Sequence, residues 1–225
     1  MIKTFLLYLV ILFPLFLFAQ PTVSLQLPAG FSAQAVALNQ GRVRHIAIAP
    51  NGTLYLKLER LRNGAGIVRL RDLDQDGVYE DSLLFGNYIG TGISIKGNFL
   101  YASSNNAIFR YSLDATYEPI QPEKPERIVY GLVDKGQHAS KSITLDNAGN
   151  IYVNIGAPSN ICQVEDRKAG SPGRMPCPIL DSAGGIWKFS SSVLDQTDGQ
   201  GTRDATGLRN VVGLDWNSEV NDLYV

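Results

Sequence analysis

Ile46-Ala-Ile-Ala-Pro-Asn-Gly-Thr-Leu-Tyr-Leu56 is the stretch on which the fold turns. Apolar residues alternate on either side of Asn51-Gly52, a pair that supplies the positive φ a tight turn requires, so the stretch reads as a β-hairpin. The phrase returns as Ile93-Ser-Ile-Lys-Gly-Asn-Phe-Leu-Tyr-Ala102 and as Ile143-Thr-Leu-Asp-Asn-Ala-Gly-Asn-Ile-Tyr-Val153. Its last copy is Gly213-Leu-Asp-Trp-Asn-Ser-Glu-Val-Asn-Asp-Leu-Tyr-Val225. After each of the first three hairpins comes a run in which apolar and basic residues alternate: Ile67-Val-Arg-Leu70, Ile108-Phe-Arg-Tyr111 and Ile186-Trp-Lys-Phe189. A period of two predicts a third strand with one wet face.

A unit of about 40–50 residues with roughly four strands is a β-propeller blade. The chain is therefore expected to be all-β, with about three and a half blades between residues 20 and 225. Propellers close with four to eight blades. The sequence thus reads as the N-terminal portion of a longer protein.

The interval between the third and fourth hairpins is the longest, and its excess lies in the insertion 156–183. That segment is rich in Gly, Pro and charge and holds both cysteines, Cys162 and Cys177. Bridged, they would close a small loop worth about 3 kcal/mol on the chain-entropy estimate. A metal or redox pair is the alternative, but it lacks partner ligands and spacing.

With 20 Lys+Arg against 21 Asp+Glu, the net charge of −1 gives no electrostatic footprint for nucleic acid. At 44% hydrophobic and 18% charged, the chain is not disordered. Residues 1–19 read as a secretory signal: Lys3, an apolar run from Phe5 to Phe18 broken by Pro14, and the small Ala19 before Gln20. The run falls short of the ~18 or more residues of a spanning helix. Leu17 is bulky for its place, so an uncleaved anchor is the alternative. The expectation is an exported protein, periplasmic or extracellular, with no stable membrane insertion after cleavage.

His138 is the candidate catalytic residue. It lies in Gly136-Gln-His-Ala-Ser-Lys-Ser142, just before an innermost strand, where loops of a propeller converge on the central channel and an imidazole can serve as general base. An ordinary loop histidine is the alternative. Ala205-Thr-Gly-Leu-Arg-Asn-Val-Val-Gly-Leu214 holds the equivalent place one blade later, so Arg209 and Asn210 are expected to face the channel too, suited to an anionic, oxygen-rich ligand. A rim Arg paired to an Asp is the alternative there.

His45, inside a strand, reads as structural. Asp72-Leu-Asp-Gln-Asp-Gly77 opens like an EF-hand loop, but Leu83 stands where the bidentate Glu belongs, and a hairpin turn accounts for it. Asn51-Gly-Thr53 is formally a glycosylation sequon and suffices as a turn.

The segments Gln137-His-Ala-Ser-Lys141, Ile151-Tyr-Val-Asn-Ile-Gly156 and Thr206-Gly-Leu-Arg-Asn-Val-Val-Gly-Leu214 resemble the soluble PQQ-dependent glucose/sorbosone dehydrogenase family. The loop from Ala157-Pro-Ser-Asn-Ile-Cys162 to Pro176-Cys-Pro178 is similar to an insertion of its sorbosone dehydrogenase-like members. The resemblance spans residues 28–225. It implies a six-bladed ring that holds pyrroloquinoline quinone (PQQ) with Ca²⁺, a sugar substrate oxidised at an alcohol, hemiacetal or aldehyde carbon, and an external electron acceptor.

By position, the resemblance makes His138 the base and Arg209 and Asn210 cofactor contacts. The family's calcium ligands and later Lys and Arg contacts are expected beyond residue 225. Asn63-Gly-Ala-Gly66 is the nearest stretch to its early Gln contact. The competing function is a non-catalytic propeller that binds a partner or glycan. A propeller hydrolase would need a channel metal held by carboxylates, and the loops entering the inner strands offer few.

Overall fold

The computed structural model describes residues 25–225. The expected signal segment, residues 1–19, lies outside them. The described chain is all-β. The first sheet runs in sequence order through β1 (Val43–Ile48), β2 (Leu54–Arg62), β3 (Ala65–Arg71) and β4 (Asp81–Phe85). The second contains β5 (Ile93–Lys96), β6 (Phe99–Ser103), β7 (Ala107–Ser112) and β8 (Glu126–Tyr130). The third is built from β9 (Ile143–Leu145), β10 (Asn150–Ile155) and β11 (Gly185–Ser190). A short strand, β12 (Gln196–Thr197), comes next along the chain, and β13 (Thr202–Thr206) closes the third sheet. A last hairpin pairs β14 (Asp215–Asn217) with β15 (Asp222–Tyr224).

Each repeated hairpin of the sequence is thus the inner pair of one sheet, and each basic-apolar run is its third strand. Asn51-Gly52 makes the first turn, with Gly52 at φ +89° and Ala49 paired to Thr53 across it. The sheets pack face on face. Tyr55, Phe85 and Tyr111 meet edge to face between the first and second, with Leu100 wholly buried beside them. Ile108, Ile128, Ile151, Val153 and Trp187 fill the space between the second and third. Apolar burial of this kind contributes about 25 cal/mol per Å².

The inner strands border one cavity of about 630 Å³, lined by Arg44, His45 and Ile46 of β1, Ser94 of β5, Thr144 of β9, and Gly213–Asp215. Strands facing a common cavity from successive sheets make the array propeller-like.

Three details depart from the sequence reading. β1 buries its small residues rather than its isoleucines: Ile46, on the central cavity, and Ile48 are 56% and 61% exposed, while His45 and Ala47 are half-buried and Ala49, just past the strand, is buried. The small alanines fit beneath the sheet. The expected wet face of the third strands is not wet at Arg69, which is buried and ion-paired to Asp81 and, at 3.0 Å, to Glu118. Finally, β12 adds a fifth strand to the second sheet by pairing in parallel with β8. The buried Gln196 ties this clasp down, donating to Ser190 O at 2.7 Å and accepting from Ser190 N at 3.2 Å.

Candidate functional site

The loop before β9 is held from beneath by Lys141. This side chain is wholly buried, and its ammonium donates to Val133 O at 2.8 Å and to Ala139 O, stapling the two limbs of the loop together. Burial pulls its pKa down to about 8, against a small upward pull from Asp134.

Above the staple the backbone turns twice through the left-handed region, at Gly136 (φ +80°) and at His138 (φ +54°). A non-glycine residue there costs of order 1–3 kcal/mol and persists only where its surroundings fix it. What fixes His138 is a 2.6 Å hydrogen bond between Nδ1 and the carbonyl of Ala157. A carbonyl only accepts, so Nδ1 carries the hydrogen and Nε2 is left as the basic nitrogen.

The seam on the other side is Gly156-Ala157, where β10 ends. A Cβ on Gly156 would lie 2.5 Å from His138 Cβ and 2.8 Å from Asn210 Oδ1, so the glycine is the condition for those two residues to meet. Two residues further back, Asn154 is fully buried. It donates from Nδ2 to Asn210 Oδ1 at 2.9 Å and accepts from Val211 N–H at 3.0 Å. Ala157 N–H donates to Arg209 O at 2.8 Å, and Ser142 Oγ to Val212 O at 2.7 Å. With its oxygen engaged by Asn154, the Asn210 amide presents its NH2 as a donor. The Arg209 guanidinium is exposed and makes no ion pair among the described residues.

His138 and Asn210 therefore come together over Gly156, and Arg209 joins them through the backbone of Ala157. The expected channel placement is refined. The loops carrying these residues lead into β9 and β14, but the cavity between the inner strands is lined by the strands themselves. Arg209 instead lines a second pocket, of about 290 Å³, with Ala157, Ile161, Cys162, Leu180 and Leu208. Cys162 and Cys177 form a disulfide, with Cα atoms 6.1 Å apart. Sequence reasoning passed over Asn154 and Lys141. The signal for both was a polar residue next to buried apolar positions, in Tyr-Val-Asn-Ile and in Lys-Ser-Ile.

At the Asp72 loop the turn is realised: Gly77 N–H donates to Asp72 Oδ2 at 2.9 Å and Val78 N–H to Asp76 Oδ1 at 2.7 Å. Leu83 lies inside β4, and Glu80 folds back instead, accepting from Leu73 N–H at 2.8 Å. Carboxylate oxygens of Asp72, Asp74 and Glu80 lie within 4.8 Å of one another. His45 is half-buried, and burial together with Arg44 lowers its pKa. Lys57 is wholly buried without a carboxylate. Its ammonium donates to Tyr88 O at 2.7 Å and Gly66 O at 3.1 Å, and burial lowers its pKa to about 7. No helix among the described residues is long and apolar enough to cross a membrane.

A family profile described as TrAA12-like matches residues 25–225. No curated protein sequence matches the chain. Among solved structures, the holo PQQ domain of pyranose dehydrogenase from Coprinopsis cinerea superimposes with a TM-score of 0.70 at 19% identity, covering 91% of this chain and 48% of that one. A calcium structure of a Trichoderma reesei carbohydrate-active enzyme of family AA12 gives 0.62 at 19%, covering 80% and 44%. The PQQ-bound aldose sugar dehydrogenase from Streptomyces coelicolor gives 0.51 at 18%, covering 91% and 60%. The chain thus spans roughly half the length of the first two structures. At such identities these likenesses speak to the fold.

Proposed function

The chain belongs to the TrAA12-like family, and from that premise we propose that the protein is an exported quinoprotein oxidoreductase that oxidises a sugar at an alcohol, hemiacetal or aldehyde carbon and passes the electrons to an external acceptor. The proposal includes a six-bladed ring for the whole protein and residues 1–19 as its export signal. The observation that carries it is the bond from His138 Nδ1 to Ala157 O, which leaves Nε2 basic beside a loop that presents Arg209 and Asn210.

The donor set fits PQQ, whose carboxylates and quinone oxygens accept hydrogen bonds: a guanidinium with no ion pair among the described residues lines a pocket, and the neighbouring amide, its oxygen engaged by Asn154, keeps its NH2 as a donor. Arg209 and Asn210 are the residues proposed to hold it. When bound, the quinone supplies a two-electron acceptor for hydride from the sugar carbon. His138 takes the hydroxyl proton at Nε2, a contribution typically of 10²–10⁴-fold. The carbonyl of Ala157 fixes the tautomer and stabilises the imidazolium that forms. Lys141 and Gly156 keep the imidazole in place.

Calcium is proposed for the whole protein only. A guanidinium and an amide are not the oxygen-rich carboxylate set it requires, so no described residue beside His138 is assigned to it.

The test is reconstitution. Adding PQQ and Ca²⁺ to the full-length apo-protein, blades beyond residue 225 included, should switch on aldose-dependent reduction of an artificial electron acceptor. Silence with every aldose at saturating PQQ would overturn the reading.

A further inference from the structure

Gln137, the neighbour of His138, is gripped on both sides of its amide by the disulfide-closed segment. Its Nε2 donates to Asp166 Oδ2. Its Oε1 accepts from Arg167 twice, from Nε at 2.9 Å and Nη2 at 2.7 Å. The grip is transmitted inward. The other oxygen of Asp166 accepts from Asn160 N–H at 2.9 Å and Ser159 Oγ at 2.8 Å, and the Asn160 bond foremost, with those of Gln137 and Ser159, holds its carboxyl down at about 2. Ser159 Oγ in turn accepts from Cys162 N–H at 3.0 Å, at the disulfide itself.

The segment is also ordered within itself. Gln163 pairs with Gly173 across its arm, and Arg167 N–H donates to Gln163 Oε1 at 3.1 Å. One element therefore reaches from the residue beside His138 to the pocket that Arg209 shares with Ile161 and Cys162.

We propose that Gln137 is a positioning residue: it docks the disulfide segment onto the His138 loop, and the docked segment is the wall that selects which sugar ring reaches the imidazole. This rests on the reading of His138 as the base. With the quinone held at Arg209, the segment supplies part of the rim of the same pocket, a polar Asn160 and an apolar Ile161 that is 64% exposed, where a sugar ring would stand beside the cofactor. A face with one apolar and one polar group suits a pyranose, whose ring presents C–H on one side and hydroxyls around its rim.

Two substitutions test it. Gln137→Ala removes all three hydrogen bonds. Gln137→Glu keeps the size and the Arg167 contacts but sets a second carboxylate against Asp166, and it serves if the alanine variant fails to fold. The first readout is independent of the cofactor: trypsin cleavage after Arg167 and Lys168, followed by mass spectrometry, should accelerate about tenfold or more in either variant as the segment opens locally. The second uses the PQQ-reconstituted protein: KM for the preferred aldose should rise about tenfold with kcat changed far less, and the preference among aldoses should flatten.

Unchanged cleavage rates would overturn the docking. Faster cleavage with unchanged KM and aldose preference would overturn the selecting wall. Absence of sugar oxidation in the unsubstituted protein would instead remove the reading of His138, and that result is separable because the cleavage assay needs no activity.

Discussion

His138 and Asn210 meet across Gly156, and the glycine is what lets them: a Cβ there would stand 2.5 Å from His138 Cβ and 2.8 Å from Asn210 Oδ1. Neither neighbour can yield freely. His138 is tied by Nδ1 to Ala157 O, and Asn210 by Oδ1 to the buried Asn154. Gly156→Ala is therefore expected to destabilise the protein by about 1–3 kcal/mol, the usual range for overpacking. Turnover should fall further than stability does, since a displacement near 1 Å at a reacting group costs about 10²-fold. Thermal midpoint and kcat measured on the same preparation check both.

Asn154 gives a different signature. Replacing it with Ala leaves Val211 N–H without its acceptor and frees the Asn210 amide to rotate. The cost should be about 2–4 kcal/mol for two buried hydrogen bonds and their stranded partners. PQQ affinity should fall as well, because the Asn210 NH2 is no longer aimed. Equilibrium unfolding and cofactor titration of Asn154→Ala test the pair of effects.

Arg209 is exposed, so its removal should leave stability within about 0.5 kcal/mol and act on the ligand alone. Arg209→Ala is expected to weaken PQQ binding by about 10–100-fold, the loss of one charge-assisted contact. Lysine should restore only part of it, lacking the planar fork. Titration of the two variants against the unsubstituted protein is the check.

Lys57 and Lys141 set the pH response of the fold. Burial lowers their folded pKa values to about 7 and about 8, against 10.5 ordinarily. Between those values and 10.5 the unfolded chain holds protons that the folded one does not, so stability from these groups rises with pH across that window and is flat below it. Tyr111, raised to about 12 by burial, opposes this only above about pH 10, where unfolded tyrosine ionises. Thermal midpoints should therefore climb from pH 7.5 to 9.5 by a component that Lys57→Met and Lys141→Met each reduce. Parallel slopes in all three proteins would contradict it.

The hairpins were legible because their signals are local: Asn51-Gly52 and its counterparts declare a turn, and alternation on either side declares strands. What distance along the chain separates, the sequence hid. Arg69 reads as a wet-face cation until Asp81 and Glu118 arrive from other segments. The strand Gln196–Thr197 is too short to carry a period and acquires its identity from β8, far earlier in the chain.

The polarity of β1 was ambiguous because Ile46-Ala-Ile-Ala alternates in size, not in hydrophobicity, and packing rather than pattern chose the alanines for the interior. At the candidate site, His138, Arg209 and Asn210 could be picked out by residue type and loop position. Their fixtures could not, since Ala157 O, Asn154 and Asp166 reach them only through tertiary folding.

The most direct test of the account is to titrate the full-length protein, unsubstituted and as His138→Ala, with PQQ in the presence of Ca²⁺, following the quinone absorbance, and then to measure aldose-dependent acceptor reduction for both at saturation. The account predicts matching binding curves and turnover at least about 10²-fold lower in the variant. Turnover by His138→Ala at the unsubstituted rate, or a flat titration for both proteins, would contradict it.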